Sequence, residues 1–283
     1  MIIDMRLRPP LKSWKTTAQF TEGTGYYPSR MGFPRPPSVR SQSVDDLLKE
    51  MKEADILGVI MGRQAPRPLG IIPNDEITEV MQQHPGRFVA FTGIDLRDIE
   101  AGLKEIERTH RIEGYRGVSI EPGASFTPMY SDDKTLYPIY ERCQELDLPI
   151  SITISGMLCT MVGNDLAYGS PTPVAKVAKD FPKLKIVISH GAWPSVMPMI
   201  EVAFMRENVY VSPDLYINGI NTPGSQEYIR AAKSFMPDRL LFGTAYPSRP
   251  LKESVKAFKQ WDLSLELQDN ILYRNAARLL KLE

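Results

Sequence analysis

Six charged or ionisable side chains stand immediately after short apolar runs, and their types define the chemistry open to this chain. Arg6 and Arg8 follow residues 2–5, Arg63 follows 56–61, Glu121 follows 117–120, His190 follows 186–189 and Asp214 follows 209–212. Residues two apart on an extended strand face one side, so Arg6 and Arg8 are expected to project together. Paired guanidinium groups hold a carboxylate or phosphate through charged hydrogen bonds, and Arg63 adds a third donor. A guanidinium stays protonated and has no lone pair to offer, so these residues argue against a divalent cation beside them.

His190 is the strongest candidate for proton transfer, because imidazole titrates near neutral pH. The other histidines, His84 and His110, fall at helix ends, where capping or exposure accounts for them. Glu121 and Asp214 suit His190 as partners. One carboxylate kept ionised by arginine and the other poorly solvated would titrate apart and supply acid and base. A plainly structural reading uses the same residues: Arg6 and Arg8 pair internally with Glu121 and Asp214, since buried arginines need partners. A third makes Glu121, His190 and Asp214 the ligands of a displaced divalent metal. Trp193 and Tyr246 are expected either to line the substrate pocket or to serve as ordinary loop packing. Tyr26, Tyr27, Arg30 and Phe33 are candidates to descend onto a bound acid, whereas Met157, Cys159 and Met161 read as apolar packing.

The elements that must position these residues are short β-branched runs separated by helical patterns. Eight runs are counted, at 2–5, 56–61, 88–92, 117–120, 150–154, 186–189, 209–212 and 240–243. Between them lie amphipathic stretches at 43–54, with Ser43 as N-cap, at 74–84 and at 99–111, and a last helix is expected over 267–281. Repeated βα units without a break in composition predict a single-domain α/β fold, a (β/α)8 TIM barrel over residues 1–283. An open nucleotide-binding sheet is disfavoured, because no GxGxxG or GxxxxGK[ST] occurs. Long segments at 8–40 and 122–133 leave strand ends on the catalytic face and are expected to cover it, with 8–40 alternatively an oligomer-contact arm or a surface loop.

Thirty-four basic and 34 acidic side chains cancel, which leaves no field of one sign for nucleic acid or an anionic membrane. Two cysteines without CxxC spacing argue against a disulfide framework or structural zinc and fit a reducing cytoplasm. The N-terminus lacks the pattern of a signal peptide, and no apolar run reaches spanning length.

Three ordered stretches resemble the amidohydrolase-related branch of the amidohydrolase superfamily. They are Ile2-Ile3-Asp4, the lysine-to-glycine stretch ending in Ser189-His190-Gly191, and Asp238-Arg239-Leu240-Leu241-Phe242-Gly243-Thr244-Ala245-Tyr246-Pro247, followed by Asn275-Ala276. The resemblance implies a metal held by a His-x-His pair ending the first strand, a histidine on the fifth, often one on the sixth, and an aspartate on the eighth. Here Arg6 and Arg8 stand at the pair, Thr153 at the fifth-strand position and Ala245 at the eighth, leaving His190. The expectation is therefore a metal-independent hydrolase or lyase, of lactone-hydrolysing or decarboxylating type, without cofactor. Its substrate is a small carboxylate held by Arg6, Arg8, Arg63, Thr153, Trp193 and Tyr246. Two alternatives stay open: a non-catalytic barrel that binds a small acid, and a metal-dependent hydrolase with a displaced site. The resemblance also suggests a homo-oligomer.

Overall fold

Strands buried on both faces need apolar side chains in both parities, which is what the β-branched runs provide. The computed structural model, which describes residues 1–21 and 34–282, contains β1 (Ile2–Leu7), β2 (Ile56–Met61), β3 (Phe88–Gly93), β4 (Tyr115–Ile120), β5 (Ile150–Thr153), β6 (Ile186–Ser189) and β7 (Val209–Ser212). They form one parallel sheet in sequential order, from β1 to β7. The loop residues Tyr26, Tyr27, Arg30 and Phe33 lie outside the described residues.

The run at 240–243, expected as an eighth strand, closes the ring through single bridges instead. Leu240 bridges Val211 on one side and Tyr246 bridges Leu7 on the other, both parallel. Backbone bonds reinforce the seam: the Leu241 N–H donates to the Val211 carbonyl at 2.9 Å, and the Met5 N–H to the Phe242 carbonyl at 2.9 Å. The segment runs into a left-handed turn at Ala245, φ 54°, and on its other edge β1 shifts register against β2 between Asp4 and Leu7. The architecture is that of a TIM barrel.

Asp4 repairs this irregular seam. Its fully buried carboxylate accepts from the Arg6 N–H at 3.0 Å, the Thr244 N–H at 2.9 Å and the Thr244 hydroxyl at 2.5 Å. Backbone donors freed by the register shift would otherwise be buried without acceptors.

The helices lie where the amphipathic pattern placed them. Val44–Glu53 starts at Ser43, whose side chain accepts from the Asp46 N–H, and Ile99–His110 is capped in the same way by Asp98. The terminal helix is interrupted: Leu265–Asp269 passes into a π-turn at Asn270–Arg274 and then into Asn275–Leu280. After that turn, buried Asn275 donates to the carbonyls of Pro237 and Leu240, which anchors the helix to the closing segment. Ala276, Ala277, Leu279 and Leu280 then join Ile3, Met5, Val59, Val89, Phe91 and Val187 in one buried cluster. Among the described residues, no helix is long and apolar enough to cross a membrane.

Burial pushes the Asp4 carboxyl up to about 7, against the hydrogen bonds from Thr244 and Arg6 that lower it. An unfolded aspartate titrates near about 3.9, so the folded state binds the extra proton between these values. The associated stability is complete below the unfolded value and is lost as pH rises through about 7. Asp4→Asn should therefore flatten the fall of denaturant midpoint from about pH 4 to about pH 8; an unchanged slope would refute this role.

Candidate functional site

The ends of β1, β2, β4 and β5 carry one buried ion cluster. Glu121 sits at its centre, just beyond β4. Arg63 grips it with two bonds, Nε to Oε2 at 2.8 Å and Nη2 to Oε1 at 2.9 Å, and Arg6 Nη2 donates to Oε1 at 2.8 Å. Thr153 joins through its hydroxyl, which accepts from Arg6 Nη1 at 3.2 Å and lies 3.3 Å from Glu121 Oε1. Burial alone would raise the Glu121 carboxyl, but the charges of Arg63 and Arg6 outweigh it and hold the group down at about 2. Glu121 is thus a fixed anion.

Arg8 is placed differently. Its guanidinium is 2% exposed and, among the described residues, donates to carbonyls, Ala245 O at 3.1 Å and Tyr246 O at 3.3 Å. Among the described residues it has no carboxylate within ion-pair distance. Burial, followed by the charges of Arg6 and Arg63, drives its proton affinity well below the usual arginine range.

Beyond β6 and β7 lies a histidine–aspartate pair. The Asp214 carboxylate accepts from the His190 N–H at 3.0 Å and from the Ser212 hydroxyl at 2.6 Å, and Arg6 Nε stands 3.8 Å away. His190 Nδ1 is 3.2 Å from Asp214 Oδ2 without the alignment of a hydrogen bond, and neither ring nitrogen has a hydrogen-bond partner among the described residues. Burial, together with the positive charges of Arg6, Arg8 and Arg63, lowers the imidazole well below its ordinary range, so it is neutral at pH 7. Burial raises the Asp214 carboxyl, with Arg6 opposing it. The two carboxylates, Glu121 and Asp214, therefore diverge in acidity, as acid and base roles require.

Three strand ends hold non-glycine residues in the left-handed region: His190 at φ 65°, Asp214 at φ 55° and Ala245 at φ 54°. Such backbone costs energy and persists where packing or function demands it. At Asp214 and Ala245 the turn brings a carboxylate to Arg6 and a carbonyl to Arg8.

Trp193 stacks on Tyr216, with centroids 4.5 Å apart, and Tyr216 meets His190 edge-on at 6.2 Å. The Tyr246 phenol leaves the cluster: it pairs with Ser38 Oγ at 2.6 Å, and only its carbonyl reaches Arg8. Internal pairing also takes an unexpected form, since Arg6 contacts both Glu121 and Asp214 whereas Arg8 contacts neither. Trp14 is the residue that sequence reasoning passed over. Fully buried, it lies against two guanidiniums, with Arg8 Cζ 5.9 Å and Arg63 Cζ 5.5 Å from its ring. A single tryptophan in a Pro-rich segment carried no periodic signal.

The donors do not suit a divalent cation. Among the described residues, no three His, Cys, Asp or Glu side chains are grouped to hold one. Glu121, invoked for a displaced site, is occupied by Arg6 and Arg63 and stands apart from the His190–Asp214 pair.

A family model described as amidohydrolase matches residues 3–282. An uncharacterized TIM-barrel protein from Bordetella bronchiseptica superposes with a TM-score of 0.91 at 36% identity, covering 99% of this chain and 98% of that one. The gamma-resorcylate decarboxylase of Polaromonas sp. is 24% identical over 246 residues, 74% of this chain and 75% of the relative. The 2-amino-3-carboxymuconate-6-semialdehyde decarboxylase of Dictyostelium discoideum is 26% identical over 254 residues, 74% of this chain and 66% of the relative.

Removing Glu121 would leave Arg63 as an uncompensated buried cation and Arg6 with Asp214 alone, so Glu121→Gln should cost roughly 3–5 kcal/mol at neutral pH. With its pKa depressed, Glu121 contributes stability above the unfolded value near 4.3, and that stability is lost as pH falls through about 2. Urea unfolding of wild type and variant should therefore converge at low pH. A constant difference down to pH 2 would exclude Glu121 as the ionised anchor.

Proposed function

The chain belongs to the amidohydrolase family, and we propose that its barrel mouth is the active site of a hydrolase or carbon–carbon lyase acting on a small carboxylated substrate without a resident metal. One observation carries this reading: Arg8 is a buried guanidinium with no carboxylate partner among the described residues. Among the described residues, three arginines face two carboxylates in the cluster, which leaves positive charge for a ligand to balance. A substrate carboxylate at Arg8 meets that need.

Proton transfer falls to the pair beyond β6 and β7. His190 presents an unpartnered Nε2 that can take a proton from water, as hydrolysis of a lactone requires, with Asp214 Oδ2 3.2 Å from Nδ1. Loss of carbon dioxide instead leaves an electron pair on the substrate carbon, which takes up a proton. Burial raises the Asp214 carboxyl whereas arginines hold Glu121 down, so Asp214 is the more readily protonated of the two and the candidate to relay that proton. Arg6 adds a cation beside both groups and is placed to stabilise negative charge developing on a substrate oxygen. That two relatives are decarboxylases by name supports the lyase form.

The test is a panel of aromatic carboxylic acids and carboxylated lactones, assayed in the presence of a chelator. Arg8→Met should weaken carboxylate binding about a hundredfold or more. It should leave stability unchanged or raised, because it removes a buried cation that lacks an acidic partner. His190→Gln should preserve binding and lower turnover about 10²–10⁴-fold. Binding of panel members without turnover would establish a non-catalytic acid-binding barrel instead. Full turnover by Arg8→Met would overturn the substrate assignment.

A further inference from the structure

The cluster holds a second set of unspent hydrogen-bond donors, apart from those directed at Glu121. Arg63 Nη1 and Trp14 Nε1 are both buried and have no acceptor among the described residues. They belong to side chains in mutual contact, with Arg63 Cζ 5.5 Å from the Trp14 ring. The other two indoles differ: Trp193 Nε1 donates to the Pro223 carbonyl at 2.8 Å and Trp261 Nε1 to the Ile217 carbonyl at 2.7 Å. Buried indole N–H groups ordinarily find an acceptor, so the exception at Trp14 marks a place where a ligand atom completes the bonding.

We infer that Trp14 and Arg63 form a second subsite beside Arg8, which binds a further oxygen acceptor of the substrate, a hydroxyl or carbonyl oxygen. This inference rests on the reading that Arg8 holds the substrate carboxylate. The substrate class narrows accordingly to oxygenated carboxylates, such as hydroxy or oxo acids. Trp14 has two functions in this arrangement. Its ring faces spread the charge of Arg8 and Arg63, which keeps two cations close without a shared anion. Its N–H supplies directional selection, because a site built to bond an oxygen disfavours an analogue with a methyl in that place.

The experiment uses the wild-type protein labelled with 15N-tryptophan. Its three indole N–H resonances are assigned from Trp193→Phe and Trp261→Phe, which leave Trp14 in place. The probes are benzoate, each hydroxybenzoate isomer and the matching methylbenzoates. At least one hydroxybenzoate should bind about five- to tenfold more tightly than its methyl counterpart. It should also move the Trp14 indole resonance downfield, whereas the methylbenzoate should not. In Trp14→Phe that preference should vanish. An unmoved Trp14 resonance with every hydroxybenzoate, in a protein that binds benzoate through Arg8, would overturn the subsite alone. Benzoate binding that is absent, or indifferent to Arg8→Met, would overturn both the subsite and the carboxylate reading.

Discussion

Glu121 is the anion on which the mouth of the barrel depends. Two guanidiniums from β1 and the end of β2 converge on its carboxylate, with Thr153 from β5 beside them. Buried charges carry a large desolvation cost, which only close geometry and saturated bonding offset. The bidentate grip of Arg63 provides that geometry and leaves Arg6 free to span from Glu121 toward Asp214. Cross-strand organisation that a metal could supply is here supplied by an ion network. Among the described residues the arginines of the network outnumber its carboxylates, and the proposed carboxylated ligand would balance that charge at Arg8.

Barrel closure and site construction use the same devices. At the seam between β1 and the 240–246 segment Arg8 meets the turn at Ala245, and Asp4 accepts from backbone donors on both sides. Left-handed backbone at His190, Asp214 and Ala245 brings three chain segments inward directly after their strands. The cost of such conformations falls where it directs the reactive groups, while the regular ladder from β1 to β7 and the buried terminal helix maintain the framework.

Much of this was legible in the sequence. Seven of the eight apolar runs became strands because β-branched residues suit a sheet buried on both faces, and the eighth kept its place while losing its ladder to the turn at Ala245. Arg6, Arg63, Glu121, Thr153, His190 and Asp214 were visible because a barrel puts strand ends on one face. Their pairing was not visible. Sequence order gives each residue a strand but not its partner, and Arg6 takes both Glu121 and Asp214. The direction of the Tyr246 ring toward Ser38, the place of Trp14 between two arginines and the role of Asp4 all depend on loop and seam backbone, which carries no periodic pattern.

The central claim is that arginines occupy the place where the family's resemblance implies a metal. Elemental analysis by inductively coupled plasma mass spectrometry tests it most directly. Purified protein would be incubated with zinc or manganese and dialysed, with carboxylate binding measured before and after. The account predicts metal far below one ion per chain and carboxylate affinity unaffected by chelator. Near-stoichiometric metal that survives dialysis, with binding lost on chelation, would contradict it.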